Sequence, residues 1–91
     1  MAVSVKLPRP FRRITQGQTE ILLNGSCVRE LLDDLESKHP GIQEKIYDDR
    51  NQLRRFINVY VNNEDIRFLE GLDTPISESD KVTVISAIAG G

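Results

Sequence analysis

The residues best suited to chemistry in this chain are its last two. Gly90 and Gly91 follow directly on a strand-like run, VTVISAIA, with no turn between them. At a background glycine frequency of about 7%, two consecutive glycines at one fixed place arise by chance about once in 200 sequences. A five-residue extended tail, Ala87 to Gly91, reaches about 17 Å, enough to thread a partner's channel while the globule stays outside. Lacking side chains, the glycines pass a narrow opening, and the carboxylate behind them can be approached from either face. A carboxylate is a poor acyl electrophile, because its negative charge repels nucleophiles. Activation by ATP to an acyl-adenylate supplies a good leaving group, and a sulfur nucleophile then makes a thiocarboxylate or thioester. Gly91 is therefore the candidate reactive residue.

Nothing else in the chain offers comparable chemistry. Cys27, the single cysteine, stands near a helix start, where a thiolate is favoured. It has no histidine partner in sequence and reads as a small buried apolar residue. His39, the single histidine, suits a helix-end cation. One cysteine and one histidine cannot build a structural zinc site within a monomer. Asp48-Asp49 and Glu64-Asp65 lack calcium-loop spacing and read as solvated turns. Arg9, Arg12 and Arg13 form one basic cluster, and Arg54 and Arg55 another. Solubility and local pairing explain such clusters; docking to an acidic partner surface is the sharper alternative. No phosphate-cradling glycine loop, Ser/His/Asp set or kinase motif is present, so no catalytic residue is assigned.

The elements that must position the tail follow from periodicity. VSVKL (Val3 to Leu7) and TEILL alternate as strands, separated by a long connection, PRPFRRITQGQ. Ser26 reads as the N-cap of a helix that places Val28, Leu31, Leu32 and Leu35 on one face. Pro40-Gly41 stops that helix. IQEKIYDD is either a short second helix or an ordered loop. FINVYV sets Ile57, Val59 and Val61 on one face, Asn62-Asn63 is a hairpin turn, and DIRFL is the return strand. KVTVISAI is the last strand, with Val82 and Val84 facing one way. One helix over one small sheet predicts an α+β fold, with strand order left open.

Bulk properties set the bounds. The chain is 91 residues long, 38% hydrophobic and 29% charged, which suits one domain over residues 1–91 with a flexible tail over 87–91. So small a chain leaves no deep cleft between domains, favouring a carrier, subunit or binding module over an enzyme. A net charge of −2 argues against a nucleic-acid partner. No run approaches the length of a membrane span, and no signal peptide is evident, so the cytoplasm is the expected compartment.

The closing AGG, the turn-and-strand SESDKVTVI and the capped helix SCVRELLDDLESKHPGI together resemble the ThiS/MoaD family of ubiquitin-like sulfur carriers. The stretch from Arg54 to Gly91 is most similar to the CysO-like branch, which supplies sulfur for cysteine synthesis. The resemblance implies a β-grasp fold, a mixed sheet on one main helix with first and last strands parallel at its centre. It implies that a ubiquitin-activating-like enzyme adenylates Gly91 with ATP, the carrier itself binding no cofactor and no metal. A sulfur donor then forms the thiocarboxylate. In that branch a PLP-dependent cysteine synthase uses the sulfur and a metalloprotease releases the cysteine. Gly90, Ala89 and Ile88 are the tail residues that would line the partner's channel, though Ile88 could equally finish the strand. The alternatives are a small subunit of molybdopterin synthase bound to its large subunit, a carrier for the thiamine pathway, and a protein modifier or binding-only module.

Overall fold

The computed structural model describes residues 2–87. Five strands form one mixed sheet: β1 (Ala2–Lys6), β2 (Glu20–Asn24), β3 (Ile57–Val61), β4 (Glu64–Asp65) and β5 (Val82–Ser86). Their spatial order is β2-β1-β5-β3-β4. β5 runs parallel to β1 and antiparallel to β3, so the last strand of the chain lies at the centre of the sheet. This is the β-grasp arrangement.

The alternation in each strand puts Val3, Val5, Leu23, Ile57, Val59, Val82 and Val84 on the buried face. Helix α1 (Val28–Lys38) covers that face with Val28, Leu31, Leu32 and Leu35, none more than 1% exposed. Each such side chain contributes about 1.5–3 kcal/mol relative to an exposed one. The helix starts differently from expectation. Cys27, not Ser26, takes the N-cap backbone position, and its side chain makes no capping bond. Instead the Ser26 N–H and hydroxyl both donate to the Glu30 carboxylate, at 2.7 and 2.8 Å. The next orphan donor of the helix, the Val28 N–H, reaches the Thr74 carbonyl at 3.1 Å, and the Ile76 N–H returns to the Ser26 carbonyl at 2.9 Å. A loop distant in sequence thus finishes the helix start.

The segment IQEKIYDD resolves into a short helix, α2 (Gln43–Ile46), followed by an isolated bridge between Tyr47 and Leu53. Burial pushes the Tyr47 phenol up to about 12, with the Asp33 charge adding to it. The connection after β1 is not plain loop. A single 3-10 turn, Arg9–Phe11, delivers Phe11 into the core at 2% exposure.

Asn62 and Asn63 both adopt positive φ, 52° and 71°, as a tight hairpin turn requires. The return strand is shorter than DIRFL: only Glu64 and Asp65 pair with β3. The Asp65 carboxylate accepts the Arg67 N–H at 2.9 Å and turns the chain into a 3-10 helix, Ile66–Phe68. Ile66 is thereby buried while Phe68 stands 83% exposed.

Candidate functional site

The tail root is built from the centre of the sheet outward. β5 pairs with β3 through five residue pairs ending at Ser86 opposite Ile57. One residue beyond, the Ala87 N–H donates to the Phe56 carbonyl at 2.7 Å. Ile88, Ala89, Gly90 and Gly91, the tail residues singled out above, lie outside the described residues. What the fold supplies for them is a fixed point of departure. β1 pairs with β5 at Val82 and Thr83, and β3 holds it from Val82 to Ser86.

Beside this root lies a groove of about 320 Å³. Its apolar lining is Pro10, Phe11 and Phe56, and Ser86 borders it where the tail leaves. The charged residues lining it are Lys45, Arg54 and Glu44. Arg54 is held in place by its Nε, which donates to the Glu44 carbonyl at 3.0 Å. Sequence reasoning missed this groove. Its residues come from four segments, and the one available signal was that PFR and RRF each place an aromatic residue beside arginine.

The remaining candidates occupy structural roles. Cys27 is half-buried rather than fully buried. His39 caps the C-terminal end of α1, with its N–H on the Leu35 carbonyl at 2.8 Å. Asp48 accepts the N–H groups of Arg50 and Gln52 at 2.8 and 3.0 Å. These bonds, Gln52 contributing most, hold its carboxyl below the usual range. Asp65 caps a 3-10 helix, as above, so the paired acids serve local turns. Among the described residues, no group of three or more His, Cys, Asp or Glu is arranged to hold a metal ion, and no helix is long and apolar enough to cross a membrane.

Residues 2–87 thus form a mixed five-stranded sheet on one main helix, with β5 at its centre. The model of the ThiS family matches residues 5–91. The chain belongs to the ThiS family. Among ThiS-type relatives, the sulfur carrier protein CysO of Mycobacterium tuberculosis is 41% identical over 93 aligned residues, covering 100% of both chains. A crystal structure of the BexX/CysO complex of Amycolatopsis orientalis contains a chain that superposes with a TM-score of 0.90 at 42% identity, covering 99% of this chain and 100% of that one. The solution structure of small archaeal modifier protein 1 from Methanosarcina acetivorans superposes with a TM-score of 0.81 at 32% identity, covering 99% and 96%. This ThiS family member therefore shares its whole fold with proteins named as sulfur carriers and with one named as a modifier.

Proposed function

We propose that this chain is a sulfur carrier and not an enzyme, with the Gly91 carboxylate as the group that is activated and thiolated. The observation that carries this reading is the family match that runs to residue 91, joined to a relative aligned over its whole length and named as a sulfur carrier protein. The tail root supports it, since β5 delivers the last residues from the sheet centre.

In the proposed cycle an adenylating partner binds ATP. A Gly91 carboxylate oxygen attacks the α-phosphorus and pyrophosphate leaves. Hydrosulfide released by a sulfur donor then attacks the acyl carbon and displaces AMP, and loss of its proton leaves a thiocarboxylate. The acceptor in this reading belongs to cysteine synthesis, through a PLP-dependent synthase, and the cycle runs in the cytoplasm. Incubation with the adenylating partner, ATP and a sulfur source, followed by intact mass, is expected to show one oxygen replaced by sulfur. A carboxylate that stays unmodified with every such partner overturns the reading. Appending one residue after Gly91 is expected to abolish the exchange, because the α-carboxylate is then gone.

A second reading, attachment to lysines of other proteins, is favoured by the likeness to an archaeal modifier. It predicts isopeptide-linked adducts ending in this chain's C-terminus, detectable by mass spectrometry of tryptic peptides.

A further inference from the structure

The groove at the tail root joins the two basic clusters that the sequence keeps about forty residues apart. Arg54 lines it; Arg9 and Arg12 adjoin the lining residues Pro10 and Phe11 in the chain, with Arg13 next, and Arg55 lies between Arg54 and Phe56. Lys45 from α2 completes the set. Among the described residues, none of these six cations forms an ion pair with a carboxylate; the pairs present are Arg29–Asp73, Lys38–Asp34 and Arg67–Asp65. Glu44 is the one acid lining the groove. In a protein of net charge −2, two cations and one acid therefore line this apolar depression, and four further arginines stand within two positions of its lining residues in the chain.

We infer that this groove docks an acidic segment with an apolar anchor, carried by the partner protein that receives the tail. The identity of that partner as the adenylating enzyme rests on the carrier reading above; the chemistry of the segment does not. Unpaired cations next to each other repel, and an acidic strand relieves that repulsion while steering encounter. Phe11, Phe56 and Pro10 offer an apolar surface to one hydrophobic side chain, which pure phosphate recognition would leave unused. Such an apolar anchor ringed by polar contacts is the usual anatomy of a protein–protein contact. Docking here would fix the partner next to Ser86, the last paired residue, so that the tail enters from a set position.

The test uses the full chain, isotope-labelled for NMR, and the capped peptide Asp-Glu-Leu-Phe-Asp-Glu as probe. The amides of Phe11, Lys45 and Phe56 are expected to shift. The neutral peptide Asn-Gln-Leu-Phe-Asn-Gln is expected to bind about tenfold more weakly, as is the Arg9→Glu/Lys45→Glu variant, with the difference fading at high salt. Both positions are exposed and neither side chain makes a hydrogen bond among the described residues, so folding is spared. Equal binding of the neutral peptide overturns the inference, as do shifts confined to the sheet face away from α1, where Leu22 and Ile85 are exposed. Tighter binding to a single-stranded oligonucleotide than to the peptide overturns it in favour of nucleic acid. Tightening of about tenfold on deleting residues 88–91 assigns the groove to the chain's own tail instead.

With the adenylating enzyme, Arg9→Glu/Lys45→Glu is expected to raise KM with kcat unchanged, whereas a residue appended after Gly91 abolishes turnover. A chain that binds the peptide in the groove yet is never adenylated refutes the carrier reading alone. A chain that is adenylated normally with no groove shifts refutes the docking inference alone.

Discussion

The backbone of Ala87 is tied to that of Phe56 by an N–H to carbonyl bond of 2.7 Å, one step past the last β3–β5 pair. This bond marks where the sheet lets go of the tail. Ala87→Pro lacks the donor, so it is expected to lower stability by about 1 kcal/mol in urea unfolding. In the unsubstituted chain, the Ala87 amide is expected to exchange with solvent as slowly as those within β5.

Gly91→Ala tests the carboxylate end of the same segment. A substitution at a chain end is expected to change unfolding stability by less than about 0.5 kcal/mol. On the carrier reading, adenylation is expected to fall much further, because the added methyl would meet the wall of the channel proposed for the adenylating partner. Pyrophosphate exchange at matched concentrations measures the loss, and equal rates for the two proteins would contradict the channel.

Gly25 is predicted to be intolerant of any side chain, for reasons of space rather than torsion. A Cβ placed there would come within 2.8 Å of both the Glu30 Cβ and the Leu31 backbone nitrogen, so α1 itself would have to move. Gly25→Ala is expected to cost about 1–3 kcal/mol, read from the urea midpoint. The Ser26–Glu30 contacts beside it would be disturbed at the same time.

Acid should loosen the loop that feeds β5. Asp80 accepts the Ser77 N–H at 2.8 Å and the Asn62 side-chain amide at 2.9 Å. These bonds, that from Ser77 first, lower its pKa below the ordinary 3.8. A carboxyl whose folded pKa is depressed binds protons preferentially in the unfolded chain. Its stabilisation is complete above the ordinary value and is lost as pH falls through the folded one. Asp80→Asn is therefore expected to be the less stable protein at neutral pH, and the gap should close below about pH 4. Urea midpoints measured across that range decide it.

Much of this fold is legible in the sequence. Val28, Leu31, Leu32 and Leu35 announce the helix face, and the alternation in FINVYV and KVTVI gives two central strands. The family resemblance, rather than periodicity, carries the strand order. What stayed hidden depends on contacts between distant segments. Ser26 reads as the N-cap because its hydroxyl is a good acceptor, but Cys27 holds that place and bridges to Pro75, so the helix starts one residue later. DIRFL alternates well enough for a strand, yet Asp65 finds a local donor in Arg67 and the chain turns inward. The groove was illegible for the same reason, since Phe11, Lys45 and Phe56 meet only in three dimensions. The di-glycine itself was read from sequence alone, and its four-residue neighbourhood lies beyond the described segment.

Because β5 fills the gap between β1 and β3, it is the only strand among the described residues that joins the two halves of the sheet. A nascent or clipped chain that stops before Val82 has no edge-to-edge link across its middle and leaves Val3, Val5, Ile57 and Val59 facing each other across a missing row. Such fragments would be unfolded and open to proteolysis instead of competing for partners. Placing the tail's root behind the keystone strand makes foldedness a proof of intact manufacture up to Ala87.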